Sequence, residues 1–502
     1  MITSILFSNN LRLTLLERFS RTLGWLHLNT CLGAGVAVTN LDRKPYPEVS
    51  GYLIPTLLKW GEHELASQYG RWLVSIQNSD GSWSDPAGEA PYTFDTGQIL
   101  KGLLALSEKS QEYDDVIRRG CNWMLQQVQP DGRVTTPNTQ HWLLPAGKVV
   151  PESIHLYALE PLRDAGRKWG VPAYEEAVER SLSYYLANPS LTRFDTLSHF
   201  HAYIVEALLD LGQLKAATKA MTEPADLQSR NGLIPGYSDS RWVCSTGLFQ
   251  YAVIWYRLGD LSRADRAFNC ASRLQNRSGG FFGSYGWGAN YFKREEISWA
   301  QKYFLDALWW KIRSRFDNEA NIFPEIISGG DGRYRLIEHV VRKVAPRSVL
   351  EAGCGKGRFL RRLLDDFPEI KLYGLDLSDK MISELPNKVE PLCGSLLNIP
   401  VSDGMFDLVF SVEALEHSVN ISSAIRELSR VVAPGGTLVI IDKNRERLGS
   451  LEIAEWEQWF LPLEIASAME QQGFTVHIEQ NLSYDGHDGR DNLFLGWIAT
   501  KK

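Results

Sequence analysis

Three glycines at alternating positions close an apolar run in Ser348-Val-Leu-Glu-Ala-Gly-Cys-Gly-Lys-Gly357, and the next apolar run ends in an acid, Tyr373-Gly-Leu-Asp-Leu377. Glycine at 353, 355 and 357 lets the backbone turn sharply and lets a ligand come against it. Asp376 then stands at a strand tip, where a carboxylate can accept from a ribose diol, so the two runs point to a nucleoside-bearing cofactor. Further on, Ser411, Glu413 and His417 follow the apolar run 406–411. His417 is the first candidate for a general base, because an imidazole titrates near neutrality; a capping or packing histidine is the structural alternative. Glu413 and Glu416 are the other acids in reach, and no group of residues has metal-ligand spacing. A second crowd of chemical groups comes much earlier: Glu48 and Tyr52, Phe94 with Asp95 and Gln98, Glu152 with His155, Asp195 with His199 and His201, Trp242 with Cys244, and Trp299 with Gln301. Carboxylates, imidazoles and aromatic faces together suit a sugar, through hydroxyl contacts and stacking. Asp95 and Asp195 read equally as helix N-caps, and His199 and His201 face different ways on a helix.

The first set needs a sheet to position it. Residues 406–411 read as a fourth strand, 421–432 as a helix, and Pro434-Gly-Gly-Thr437 as a turn into a strand at 438–441. Two final strands follow at 472–477 and 492–499. This order of motifs resembles class I S-adenosylmethionine-dependent methyltransferases over residues 333–502. The resemblance implies an α/β doubly wound, Rossmann-like sheet of seven strands, the last inserted antiparallel, with S-adenosylmethionine as cofactor. It implies that Glu351, Gly353 and Gly355 lie under the methionine part, that Asp376 binds the ribose hydroxyls, and that Leu377 touches the adenine. Ser411 belongs with the same cofactor-binding residues. Where many relatives carry Asp, this chain has Ser395, an uncharged acceptor for the adenine amino group, and the Leu396 amide can still read the ring. Methyl transfer from a sulfonium has a neutral leaving group, so the protein mainly aligns the acceptor and excludes water. A hydroxyl acceptor also needs a base, and His417 and Glu413 are the catalytic candidates. Residues 442–447 and 455–460 read either as an acceptor lid or as a helix packed on the sheet.

The second set needs a different scaffold. Arg71-Trp-Leu-Val-Ser-Ile-Gln-Asn-Ser-Asp-Gly-Ser-Trp83 is echoed by Asn122-Trp-Met-Leu-Gln-Gln-Val-Gln-Pro-Asp-Gly-Arg-Val134, with weaker copies at 183–194, 231–235 and 273–281. Each copy is an amphipathic helix ending in a polar turn, most often Asp-Gly or Asn-Gly. More apolar helices follow, at 52–60, 95–106, 153–164, 196–211, 245–258 and 298–312. Such recurrence fits an array of helix pairs. Six inner helices inside an outer ring would close an all-α (α/α)6 toroid; an open solenoid is the alternative. This portion resembles the helical toroids of six-hairpin glycosidases, uronate-processing lyases and epimerases, and terpenoid cyclases. Gln77-Asn-Ser-Asp-Gly-Ser-Trp83 is similar to the Gln/Trp repeat of triterpene cyclases, but their Asp-rich acid motif is missing. Tyr46-Pro-Glu-Val-Ser-Gly-Tyr52 and Cys244-Ser-Thr-Gly-Leu-Phe-Gln250 are closer to toroids among bacterial surface-polysaccharide proteins. In such a toroid Glu48, Tyr52, Asp95, His155, Asp195, His199, His201, Trp242 and Trp299 would ring one mouth.

The expected organisation is an N-terminal helical extension (1–45), a toroid (46–315), a linker (316–332) and a methyltransferase domain (333–502). A chain of 502 residues holds that many cores, and 44% hydrophobic with 23% charged residues is ordinary globular composition. A net charge of −7 argues against a nucleic-acid partner. Six scattered cysteines fit a reducing cytoplasm. Charged and polar residues within 6–19 and 23–38 argue against a signal peptide or an integral membrane span, with peripheral membrane contact as the alternative. The expected reaction moves a methyl group to oxygen or nitrogen of a small-molecule or glycan acceptor, a saccharide or surface-polysaccharide intermediate bound with help of the toroid. The alternatives are a toroid that is itself a glycan lyase, hydrolase or epimerase, and a non-catalytic cofactor-binding scaffold. The oligomeric state stays open.

Overall fold

The structure is a computed structural model that describes residues 13–137 and 150–502. The part of the expected helix at 6–19 that precedes residue 13 lies outside the described residues. The chain forms two compact units, one running to Leu57 and resuming over His63–Lys311, the other made of Leu58–Glu62 and Ile312–Lys502. Among the described residues no helix is long and apolar enough to cross a membrane.

The first unit is helical. Its first helix, Leu15–Asn29, opens on a capping box in which Thr14 and Glu17 satisfy each other's backbone N–H groups. Buried helices then alternate with amphipathic ones. Ser245–Leu258 is buried from Ser245 through Tyr256, whereas Leu261–Ser272 buries one face only. The same alternation pairs Thr93–Ser107 with Asp114–Gln127. One expected helix differs: 153–164 is split into a 3-10 segment, Glu152–Ala158, and an α-helix, Leu159–Trp169. Pro161 has no N–H to give and is tolerated only in the first turn of an α-helix, which forces a fresh start at Leu159. The Tyr157 carbonyl, which that N–H would have met, accepts from Gln98 Nε2 instead at 3.3 Å.

The internal repeat has a shared seat. In the turns at Asn78, Gln129, Ser229 and Asn276 the glycine three residues on, Gly81, Gly132, Gly232 or Gly279, donates back to the first residue's carbonyl. All four glycines have φ between +89° and +97°. A Cβ there would strike a backbone carbonyl, that of Arg119, Arg180, Arg266 and Arg21 respectively. Three glutamines before the turns staple the same places, Gln77 to Val116 O at 2.9 Å, Gln228 to Arg263 O at 3.0 Å and Gln275 to Arg18 O at 3.0 Å. The last turn therefore seats on the first helix, as each earlier turn seats on a later one.

The second unit is a seven-stranded sheet of order β5-β4-β3-β6-β7-β9-β8. In chain order the strands are β3 (Ser348–Ala352), β4 (Lys371–Asp376), β5 (Val389–Cys393), β6 (Phe406–Val412), β7 (Val432–Lys443), β8 (Phe474–Glu479) and β9 (Phe494–Lys501), after a short hairpin of β1 (Trp242–Cys244) and β2 (Ser284–Gly286) in the helical unit. β3 to β7 pair parallel, and β9 runs antiparallel between β7 and β8. Leu408, Phe410, Val439 and Ile441 pack with Phe359, Leu360 and Leu363 of the helix Arg358–Asp366. The expected turn at 434–437 is instead the irregular start of β7, where pairing skips from Phe406↔Val432 to Leu408↔Thr437. The extra residues bulge out around Gly435, φ +73°. Residues 455–460 do not form the alternative helix: they run irregularly, with Trp456, Trp459 and Phe460 buried.

Candidate functional site

β3 has β4 on one side and β6 on the other, so their connections leave in opposite directions and open a crevice at the strands' carboxyl ends. The glycine turn lies there. Gly353 and Cys354 donate to Leu375 O at 2.8 and 2.9 Å, and Gly355 donates to Asp376 Oδ2 at 2.8 Å. Asp376 Oδ1 accepts from Ser378 N–H, while Ser378 itself caps the helix Asp379–Ile382, so Asp376 is not the cap. Gly353 has φ +81°, and a Cβ on it would collide with Ala414, with Leu396 close by. A Cβ on Gly355 would meet nothing within 4 Å, so the turn faces open space. Two buried polar atoms lack any hydrogen-bond partner among the described residues beside it: Glu351 Oε2 and Ser411 Oγ. Burial pushes the Glu351 carboxyl well above the usual range, opposed by Arg358 and reinforced by Asp376. Burial also raises Asp376 against three backbone donors. Leu377 and Leu396 are half-buried, and Ser395 Oγ accepts from Leu397 N–H at 3.1 Å within its own turn. Gly353→Ala is expected to weaken cofactor binding at least about tenfold, since the strained backbone and the Ala414 contact both displace the turn. Calorimetric titration checks it.

The catalytic candidates sit at the exit of β6 in unlike surroundings. Glu413, at φ +53°, receives Arg333 and Arg358, each at 2.6 Å. Burial works to raise its carboxyl, but Arg333, Arg358 and Lys443 outweigh it and hold it below the ordinary value. A carboxylate so occupied is an anchor and a weak base. His417 packs edge-on to Phe316 at 5.2 Å, with Nε2 3.5 Å from Glu416 Oε1 and a buried Nδ1 that has no hydrogen-bond partner among the described residues. Burial lowers its pKa against the nearby Glu416 and Glu457. The donor atoms of Glu416, His417 and Glu457 lie within 4.8 Å of one another, which is metal-like spacing. The Lys443 ammonium already touches Glu416 and lies 3.5 Å from Glu457, so these acids hold a cation of the chain's own. Arg333, Arg358 and Lys443 carried no sequence signal, because each meets its partner only through the fold.

In the helical unit, the candidate residues separate into two sets. Glu48, Tyr52, Asp95, His199 and Trp299 are buried and draw together through Tyr46, Tyr203 and Tyr291: Tyr46 lies edge-on to Trp299 at 6.1 Å, Tyr52 and Tyr203 hydroxyls are 3.4 Å apart, and His199 packs on Tyr203 at 4.4 Å. His199 Nδ1 meets Gln250 Oε1 at 2.6 Å, and Gln250 donates to Glu206 at 2.8 Å; an amide oxygen only accepts, so Nδ1 carries the proton. The others lie apart. His201 bonds Tyr251 and packs on Phe194, His155 takes its own turn's Glu152 carbonyl, Trp242 belongs to the β1–β2 hairpin, and Asp195 is exposed. Neither Asp95 nor Asp195 is an N-cap: those positions are Tyr92 and Leu197.

Residues 350–440 match the family model described as a methyltransferase domain. The chain is 31% identical over 148 residues to a malonyl-[acyl-carrier protein] O-methyltransferase of Halorhodospira halophila, covering 28% of this chain and 50% of that protein. It is 34% identical over 112 residues to norajmaline N-methyltransferase of Rauvolfia serpentina, covering 20% and 38%. The chain thus spans about half the length, or less, of these curated relatives. A solved structure of an S-adenosylmethionine-dependent methyltransferase from Thermotoga maritima aligns with 39% of this chain and 100% of its own, at 24% identity and a TM-score of 0.30. The second unit carries a methyltransferase domain, and its cofactor is S-adenosylmethionine. The residues fit that molecule: open space over Gly355, an unsatisfied Glu351 oxygen and the Asp376 carboxylate suit an amino-acid end and a ribose.

Proposed function

We propose that this chain is an S-adenosylmethionine-dependent methyltransferase acting on oxygen or nitrogen of a saccharide, an intermediate of a surface polysaccharide. The observation that carries the enzyme reading is the open glycine turn between Glu351 and Asp376 at the crevice beside β3. When bound, the cofactor supplies an electrophilic methyl group. Glu351, Gly353 and Gly355 seat its amino-acid end, Asp376 its ribose, and Leu377, Ser395 and Leu396 its adenine, with Ser411 beneath. His417 takes the acceptor's proton, and Glu413 holds Arg333 and Arg358 in place beside the cradle. Because burial lowers the His417 pKa, the imidazole is neutral and basic at pH 7. His417→Ala is expected to cut turnover about 10²-fold with cofactor affinity unchanged. The acid limb of the wild-type pH–rate profile should fall below the ordinary imidazole value of about 6.5; a limb above that value would exclude His417.

The saccharide part rests on the helical unit, which we read as a closed (α/α)6 toroid. Its support is the recurrence of one turn-and-glutamine seat, the last copy of which engages Arg18 and Arg21 of the first helix. Acids, an imidazole and aromatic rings gathered at inner-helix starts are what a sugar needs. Tethering the two units raises the concentration of one ligand class near both. The test is labelled methyl transfer by the full chain into fractionated cell extract, with Asp376→Ala as control. Label entering a nucleotide-sugar or envelope-glycan fraction, and lost in the variant, is the expected result. Label confined to protein, lipid or small aromatic fractions would overturn the saccharide part. Cofactor binding without any transfer would favour a scaffold.

A further inference from the structure

The helical unit contains a buried acid, Asp95, for which the described residues provide no side-chain partner. Asp95, in the first turn of Thr93–Ser107, is 6% exposed, and among the described residues its carboxyl hydrogen-bonds nothing beyond its own backbone N–H. The charges that act on it are acids, first Glu48 and then Asp85. Glu48, also 6% exposed, is met by the Tyr46 hydroxyl. The cation that acts on Glu48, Lys302, is committed elsewhere: its Nζ lies 2.8 Å from Asp306 and 3.7 Å above the Tyr303 ring. Outward from Asp95, Tyr92 feels Asp85 and the exposed Glu89, on a loop closed by the Ser84↔Pro91 bridge. Acids therefore lead from the surface toward a buried carboxyl.

A buried carboxyl without a donor is costly. Burial, and then the Glu48 charge, hold Asp95 well above the usual range, and burial brings Glu48 up to about 7. The pair keeps a proton until something positive replaces it. An ammonium would do so, and the faces of Tyr46 and Trp299 would favour it and stack on the C–H face of a ring. Tyrosine hydroxyls in the same cluster suit a polyhydroxylated molecule and not a hydrocarbon.

We propose that this cluster binds an aminated sugar, with its ammonium between Glu48 and Asp95 and its ring against Tyr46 and Trp299. The proposal rests on the saccharide reading above for the ligand class and is independent of methyl transfer, whose failure would show separately in cofactor titration and label transfer.

The test is calorimetric titration of the full chain at pH 7 with glucosamine, N-acetylglucosamine, glucose and cyclohexylamine. Glucosamine should bind saturably, and the three others at least about tenfold more weakly, because each lacks either the charge or the hydroxyls. Asp95→Asn and Glu48→Gln keep size and remove charge, and each should weaken glucosamine at least about tenfold, with melting temperatures confirming that both variants fold. Glucose as tight as glucosamine would overturn the ammonium seat, and cyclohexylamine as tight would overturn the sugar. Absence of glucosamine binding, or binding indifferent to both substitutions in folded protein, would overturn the whole.

Discussion

Asp376→Ala is expected to weaken S-adenosylmethionine binding by roughly 10²-fold or more while the chain stays folded. Each oxygen of the carboxylate already accepts a backbone N–H, Gly355 at 2.8 Å and Ser378 at 2.9 Å, and keeps a lone pair for a hydroxyl. A charge-assisted hydrogen bond contributes about 1.5–3 kcal/mol, and a ribose diol offers two. The alanine variant also releases Gly355 N–H, so the glycine turn loses its tether. Asp376→Asn separates the two effects. It keeps one acceptor for a backbone donor but has no charge and turns its amide toward another N–H, so its affinity should fall between the two. Calorimetry gives the affinities, and thermal unfolding without ligand shows whether the turn alone matters. A loss below about tenfold would leave Asp376 a turn-former and move the ribose contact elsewhere.

What the sequence made legible follows from local rules. The glycine turn, the acid at the tip of β4 and the antiparallel last strand are written in short apolar runs with fixed spacing, and the sheet of the second unit follows them. The Asp-Gly and Asn-Gly repeats are equally local, because only glycine accepts φ near +90° against a carbonyl. Three departures come from competing local effects: Pro161 breaks an expected helix, β7 begins in a bulge where a turn reads naturally, and residues 455–460 bury two tryptophans without forming a helix. The charge network was not legible at all. Glu413 looks like a base in sequence because its partners, Arg333 and Arg358, lie 80 and 55 residues away. The rim residues of the helical unit illustrate the same limit. Asp95 and Asp195 precede apolar runs alike, yet one is buried and the other is exposed.

Arg333→Ala is expected to destabilise the second unit by about 3–5 kcal/mol at pH 7, since it leaves buried carboxylates uncompensated. The guanidinium is 1% exposed and donates to Asp331 at 2.8 and 3.0 Å, to Glu413 at 2.6 Å and to Asp485 at 2.9 Å, while lying 4.9 Å from the Phe494 ring centre. Asp485 is mostly exposed and contributes little. Arg358 stays on Glu413, so Asp331 bears most of the loss. The pH dependence separates this cause from lost packing. In the wild type, burial raises the Asp331 carboxyl but the hydrogen bonds and charge of Arg333 outweigh it, and Glu413 is likewise held low. A folded pKa below the unfolded one means that the unfolded chain binds more protons, so stability is present above about pH 4 and is lost as pH falls through the depressed values. Without Arg333, burial acts on Asp331 with less opposition and its pKa rises. The deficit of the variant should therefore be largest at neutral pH and shrink in acid, where the orphaned carboxyl is protonated. Hydrogen exchange of peptides from the helix Gly332–Val344, compared at pH 7 and near pH 4 after correction for intrinsic rates, reads the unit by itself. An equal deficit at both values would assign the loss to packing on Phe494. Arg333→Lys should recover part of the charge but not the fork that spans three acids, so a lysine variant as stable as wild type would show that charge alone, and not the fixed geometry of the guanidinium, holds Glu413 and Asp331 beside the cradle.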